Sequence, residues 1–432
     1  MLFTNRLRLD SLKLSNYRKF ETYEVEFDSR LTVLTGDNAS GKSTLLDAAS
    51  VALGTYLTRF DHSKGVGIVS SDARCVYVRQ GSTMDRQSIY PVRISAKGLV
   101  GGVSTTWTRA LNGATSRTTR NEAQTVLGAS EIARQFVASG DGSFVLPVIA
   151  YYSTDRLWAQ VPKKDLSKED FSSSRTKGYE QALHASANSA RIVSWFRKLS
   201  LWEWQNKTKS PEYNAVKKAV GKAFRSASGC DNGYIDYDAE IENIVVEYID
   251  GCGGAHRDPL NSMSDGYRGT LNLVADVARR MAMLNPALCD KVLEAPGVVM
   301  IDEVDLHLHP RWQAKILGDL ANIFPNVQFI VTSHSPIVVA SVPRENVRML
   351  DGERAVVPSV ETYGHDSNSI LAAILQASAR PEGLVALFET FYDDIDKGQY
   401  EAAGKILGQI EEKIGSDDPE LIAAKTTLEL WG

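Results

Sequence analysis

Gly36-Asp37-Asn38-Ala39-Ser40-Gly41-Lys42-Ser43 spells in full the phosphate-loop pattern G-x-x-x-x-G-K-S. The glycines let the chain curl so that successive backbone N–H groups face one anion. Lys42 then reaches the β- and γ-phosphates, and the Ser43 hydroxyl is placed to ligate Mg²⁺. Asn38, Gly41 and Thr44 complete the expected cradle. Leu31-Thr32-Val33-Leu34-Thr35 is β-branched and apolar and reads as a buried strand. Ser43 to Leu53 is mostly apolar and helix-forming. The loop thus joins a strand to a helix N-terminus, where the helix dipole favours an anion. A chance glycine-rich turn explains neither the Lys-Ser pair nor the flanks.

A phosphate loop needs a metal carboxylate and a group that activates water. Val298-Val299-Met300-Ile301-Asp302-Glu303 offers both, because four apolar residues lead into two acids. In open α/β sheets the C-terminal strand ends are where ligands bind. Asp302 is expected to hold Mg²⁺ and Glu303 to polarise the attacking water. Taken alone, the same residues also read as a strand ending in two solvated acids. A second apolar run, Val327–Thr332, leads into Ser333-His334-Ser335-Pro336. Were the two strands parallel neighbours, His334 and Glu303 would share one sheet edge. His334 then contacts the γ-phosphate or the water; the plainer reading is a turn histidine before Pro336.

These elements resemble the Walker A, Walker B and switch-histidine motifs of ABC-type ATPases, in the branch holding SMC, RecF and OLD-like proteins. Met263-Ser264-Asp265-Gly266-Tyr267-Arg268, before a helical pattern at 269–284, resembles the family's signature sequence. Ser264 and Gly266 match; Asp265 and Tyr267 depart from the commonest form. The resemblance implies that Ser264 and Gly266 bind the γ-phosphate held by a second protomer, in a head-to-head dimer. Asp305 falls at the family's D-loop aspartate. Asn16-Tyr17-Arg18-Lys19-Phe20 resembles its Arg–aromatic element, which implies that Arg18 lies near the nucleotide. Gln160, after Pro147–Trp158, is the candidate Q-loop glutamine. His307 and His309 have no further ligand at zinc spacing.

The fold expected is α/β: an ABC/SMC-like ATPase head whose mixed sheet carries the phosphate loop, flanking helices and an antiparallel β layer beside it. The sequence divides into an N-terminal ATPase lobe (1–159), a mainly helical insertion (160–235), a C-terminal ATPase lobe (236–365) and a C-terminal helical unit (366–432). Strands are expected at 7–15, 21–27, 75–79, 90–95 and 103–109, with a strand pair at 236–250. Helices are expected at 369–379, 381–396, 400–414 and 419–430. Trp195, Phe196, Trp202 and Trp204 read as packing surface. No sustained heptad pattern is present, so long coiled-coil arms are excluded.

Gly364-His365-Asp366-Ser367-Asn368-Ser369-Ile370-Leu371, with 264–268, is similar to a bacterial group of stand-alone ATPases from Septu (PtuA-like) and retron anti-phage systems. That resemblance implies ATP and Mg²⁺ as ligands, self-association into dimers or dimers of dimers, and a separate HNH nuclease partner. No Toprim or His-Asn-His pattern is found in the chain itself. The alternatives are a RecF/SMC-like repair ATPase and a nucleotide-binding sensor with little turnover.

The chain has 432 residues, 43% hydrophobic and 23% charged, as expected of a soluble protein. No apolar run reaches the roughly 18–20 residues of a membrane span, and no signal-peptide pattern opens the sequence. Cys75, Cys230, Cys252 and Cys289 form no C-x-x-C pair and are expected to be reduced, mostly buried thiols in the cytoplasm. Net charge is −5, but residues 59–135 carry eleven Lys/Arg against five Asp/Glu and 161–225 fourteen against six. Residues 382–420 carry three against eleven. Basic segments of this kind fit a phosphate backbone such as DNA, or a solvated mixed-charge surface.

Overall fold

The computed structural model describes residues 3–431 except 62, 64, 155–173, 185–188, 376–377 and 379. By contacts the chain forms two compact units, Met1–His365 and Asp366–Gly432. The larger unit is built on a ten-stranded sheet. Its strands are β1 (Leu7–Tyr17), β2 (Phe20–Glu26), β3 (Leu31–Thr35), β4 (Val92–Val100), β5 (Val103–Leu111), β6 (Val148–Tyr152), β7 (Gly297–Ile301), β8 (Val327–Thr332), β9 (Val347–Asp351) and β10 (Arg354–Val356). They lie in the order β6-β7-β8-β3-β9-β10-β2-β1-β4-β5.

The first five in that order are mutually parallel. Parallel strands are covered on both faces, so they need continuous apolar runs. β6 and β7 are buried at every position, and so is β8, whose buried Gln328 bonds to the β1 backbone at Leu9 from both ends of its amide. β7 and β8 pair with Ile301 opposite Val331, so the segments after both strands leave from the same edge. From β2 to β5 the pairing turns antiparallel.

Of the antiparallel strands, Cys75–Gln80 lies in a separate two-stranded sheet, whereas β4 and β5 adjoin the nucleotide sheet directly. β4 and β5 continue that sheet, because β4 pairs with β1 over most of its length. The sheet curls about α1 (Lys42–Leu57), an apolar helix buried on nearly all sides. Trp107 of β5 donates through its indole N–H to the Ala52 carbonyl of α1 at 3.1 Å. The strand at Thr83–Ser88, paired with Cys75–Gln80, was not expected from sequence. It is fully exposed and polar, so no apolar alternation marks it.

Helices occupy Ser189–Asn206 and Pro211–Ser228, and a three-stranded sheet follows at Gly233–Asp238, Asn243–Ile249 and Ala255–Pro259. The third strand, exposed and charged, is additional to the expected pair. Among the four aromatics read as packing, Phe196 is buried and Trp195 packs edge-on against Phe196 and Tyr213. Trp202 and Trp204 face solvent instead. The thiols are half-buried (Cys75, Cys230) or exposed (Cys252, Cys289), not mostly buried. Cys252 sits in the tight turn of 250–254, where Asp250 accepts its N–H at 2.8 Å, and a turn residue has no core to enter.

The smaller unit contains helices Ser367–Ala373, Glu382–Asp396, Tyr400–Ile414 and Pro419–Trp431. The last three enclose a core of Leu384, Phe388, Phe391, Leu407, Ile410 and Leu421. No helix among the described residues is long and apolar enough to cross a membrane.

Candidate active site

The phosphate loop lies where its flanks predict, between β3 and α1. Gly41, the residue before α1, has φ +105°, and a Cβ there would stand 2.4 Å from the Phe20 ring. Only glycine fits both demands. Gly41 also offers no side-chain cap, and no acid occupies the first turn. A helix N-terminus left with orphan N–H groups is suited to an anion. Lys42 is buried, and its Nζ donates to the carbonyls of Gly36 and Asp37, both at 2.8 Å. Burial pushes its pKa down, against the charges of Asp302, Asp37 and Glu303. Asn38 and Ser43 are exposed, and Thr44 is half-buried in the first turn.

The two acids meet at Thr332. Its hydroxyl donates to Asp302 Oδ1 at 2.6 Å and accepts the Glu303 N–H at 2.7 Å. Asp302 is buried and its N–H bonds the Tyr152 carbonyl of β6 at 2.8 Å. Glu303 holds φ +48°, a left-handed conformation that costs a non-glycine residue about 1 kcal/mol or more. That turn carries the chain away from β7 at the ligand edge. His334 follows β8. Its pKa is lowered from the ordinary 6.5, first by burial and then by the Lys42 charge, with Asp305, Glu303 and Asp302 opposing. Lys42, Asp302, Glu303 and His334 therefore share one electrostatic neighbourhood.

Ser264 is the N-cap of α2 (Asp265–Leu284), and its side chain makes no cap bond. Gly266 packs against the backbone at His307. Tyr267, the departure from the usual signature, fills a gap between Trp312 and Phe224, with ring centroids 4.0 and 5.8 Å away. Among the described residues, Ser264 and Gly266 make no hydrogen bond with residues 36–44 of the same chain. Asp305 Oδ1 is buried with no hydrogen-bond partner among the described residues.

Arg18 reaches the flank of α1, where it pairs with Asp47 at 2.5 Å and Asp72 at 2.9 Å. Asp47 also accepts from the Tyr151 hydroxyl at 3.0 Å. Lys19 Nζ donates to the Ala39 carbonyl of the phosphate loop at 2.6 Å. Gln160 lies outside the described residues. Motif reading did not single out Thr332, Tyr152, Asp47, Asp72 or Asp276. Tyr152 donates to Asp276 Oδ2 at 2.8 Å, and Asp276 is gripped by Arg279 at 2.6 Å and Arg280 at 2.8 Å. The only sequence signal for this network is a run of charged residues inside an apolar helix pattern, Asp276 with Arg279 and Arg280 at helical spacing.

Two family profiles match the chain, one described as an AAA domain over residues 11–222 and one described as an AAA domain, putative AbiEii toxin, Type IV TA system over 253–340. The "Retron Ec83 probable ATPase" of Escherichia coli is 25% identical over 99% of this chain and 88% of its own length. The "Retron Vc95 probable ATPase" of Vibrio cholerae is 24% identical over 91% of this chain and 84% of its own. Septu protein PtuA of Bacillus mycoides is 34% identical over 34% of this chain and 18% of its own. The chain is an AAA-domain protein related to the retron ATPases and to PtuA. A solved Smc head domain from Pyrococcus furiosus aligns with 82% of this chain and 96% of its own at 14% identity, with a TM-score of 0.45. The two AAA matches fall on either side of the stretch 223–252, so the phosphate loop belongs to one and the signature, Asp302, Glu303 and His334 to the other.

Proposed function

We propose that the chain binds ATP·Mg²⁺ at residues 36–44 and hydrolyses it between two copies of itself. The observation that carries this reading is the shared neighbourhood of Lys42, Asp302, Glu303 and His334 at the end of adjacent parallel strands. The uncapped α1 N-terminus and Lys42 fit a triphosphate, and the Ser43 hydroxyl with the Asp302 carboxylate fits Mg²⁺. When bound, Mg²⁺ neutralises charge on the phosphate oxygens. An arriving phosphate competes with the Gly36 and Asp37 carbonyls for the Lys42 ammonium. Glu303 orients the attacking water, and its backbone N–H is fixed by Thr332. His334, held neutral by its surroundings, donates a hydrogen bond to the γ-phosphate or accepts one from the attacking water. Ser264 and Gly266, which make no bond to their own phosphate loop, supply the second anion site to a partner copy.

The retron and Septu relatives support a role in anti-phage defence. In that role the chain is the nucleotide-gated regulator and scaffold of a separate HNH nuclease, in dimers or dimers of dimers in the cytoplasm. The test is a pull-down of the tagged protein from its native operon, with and without ATP, followed by the mass of the complex. Co-purification of a nuclease in fixed ratio supports this reading. A bare dimer whose hydrolysis DNA stimulates assigns the chain to RecF-type repair. A dimer that binds ATP without turnover assigns it to sensing alone.

A further inference from the structure

The nucleotide site uses none of the eleven basic residues of 59–135. Three of them converge elsewhere. Arg109, Arg117 and Arg120 line a cavity of about 500 Å³ together with Thr118, Gly65 and Gly67. Small-ligand sites span about 300–1,000 Å³. Arg109 projects from β5, residues 117–120 follow that strand, and the glycine segment follows α1. Thr118 Oγ1 bonds both the N–H and the carbonyl of Ile68, at 2.9 and 3.0 Å, so the two walls are tied together without a ligand.

Arg109 is 3% exposed. Its Nε donates to the Thr119 carbonyl at 2.8 Å and its Nη1 to the Thr55 hydroxyl at 2.7 Å. Those bonds use two of the guanidinium's donors, all to neutral acceptors. Among the described residues none of the three arginines forms an ion pair. Burial pushes the Arg109 pKa down to about 10, and the Arg120 charge pushes in the same direction. A buried charge is ordinarily paired. The plain structural alternative is that Arg109 caps the C-terminus of α1. That terminus carries only about half a negative charge, which falls short of three guanidinium groups.

We propose that this cavity binds a small phosphate-bearing ligand, up to the size of a mononucleotide, as a second anion site distinct from residues 36–44. Guanidinium forks match phosphate oxygens in pairs, and two exposed arginines beside a buried one suit a terminal phosphate entering from solvent. A concave cavity of this volume admits one or two phosphate groups with a sugar or base. A nucleic-acid duplex presents its phosphates on a convex surface and does not fit. The two anion sites would lie at opposite ends of α1, about 24 Å apart along a helix of sixteen residues.

The test titrates inorganic pyrophosphate, and separately AMP, into the full chain carrying Lys42→Ala, with binding read by calorimetry. The expected result is saturable binding with a Kd below about 1 mM. Arg117→Gln combined with Arg120→Gln, at exposed positions, should weaken it at least about tenfold. Arg109→Gln should weaken it too, with thermal unfolding showing whether that variant still folds. The proposal is overturned by an absence of saturable binding to Lys42→Ala, or by binding that the double arginine variant leaves unchanged. It is equally overturned if a single-stranded oligonucleotide binds through these arginines while pyrophosphate and AMP do not.

Discussion

A methyl group placed on Gly266 would stand 2.6 Å from the carbonyl oxygen of His307. The start of the signature helix therefore rests directly on the segment that follows Glu303, and His307 itself holds φ +59° there. Gly266→Ala must push one of these two backbones aside. Overpacking of this kind costs about 1–3 kcal/mol, so a clear fall in thermal stability is expected. Ser264→Ala should behave differently. A working Ser cap is worth about 1 kcal/mol, but the Ser264 hydroxyl caps nothing. Its removal should leave the unfolding temperature in place and abolish ATP-dependent dimers in mass measurements. An equal loss of stability in both variants would make Ser264 a structural residue.

Thr332 links the two acids that divide the chemistry. Thr332→Val removes the donor to Asp302 and leaves the Glu303 N–H without its acceptor. An unsatisfied buried group costs about 1–3 kcal/mol. Turnover should fall while nucleotide binding persists, and Thr332→Ser should restore both. Lys42→Ala should lose nucleotide binding, whereas Glu303→Gln should bind ATP and hold a closed dimer. Rapid turnover by Glu303→Gln would remove Glu303 from its role.

The parallel half of the sheet was legible because its demands on sequence are simple. β3, β7 and β8 are buried almost throughout and so mostly apolar, and the segments after their C-terminal ends carry the Lys-Ser, Asp-Glu and Ser-His groups. Covalent neighbours on a strand end stay neighbours in space, so Asp302, Glu303 and His334 could be placed from their strands alone. Thr332 was not legible as a bridge, since a threonine closing a β-branched strand reads as propensity alone. Tyr152 and Asp276 are 124 residues apart, and no local pattern records their bond. The Thr83–Ser88 strand and the exposed side of Ser189–Asn206 failed for another reason. Neither presents an apolar face to a core, so hydrophobic periodicity was silent about the first and misleading about Trp202 and Trp204 in the second.

His334 predicts the direction of a pH effect. Its folded pKa lies below the ordinary value of 6.5, so the folded chain resists protonation more than the unfolded chain. As pH falls past the unfolded value, the unfolded state binds the proton first and stability declines. The decline levels once folded His334 also titrates. Unfolding temperatures of the apo protein and of His334→Gln should run parallel above about pH 7.5. Below about pH 6.5 the wild type should fall faster. Identical slopes across the range would show that His334 is not held neutral by its surroundings.

Asp276 predicts the largest stability effect. Burial pushes its carboxyl pKa up, but Arg280 and Arg279 outweigh burial and hold it well below the usual range. Its contribution is therefore complete above the unfolded value of about 3.9 and is lost only in stronger acid. Asp276→Asn keeps the shape and removes the charge, leaving Arg279 and Arg280 buried with no counter-charge. Removing one partner of a buried pair costs about 3–5 kcal/mol, to be read as a lowered urea midpoint at neutral pH. Tyr152→Phe deletes one hydrogen bond to the same carboxylate and should cost about 1 kcal/mol. Neither side chain belongs to the phosphate loop, so whatever fraction of each variant is folded should bind ATP with unchanged affinity. The Asp302 N–H bonds the Tyr152 backbone carbonyl, which Tyr152→Phe retains. A specific loss of turnover in Tyr152→Phe, at unchanged stability, would show that the hydroxyl contact positions Asp302 rather than bracing α2.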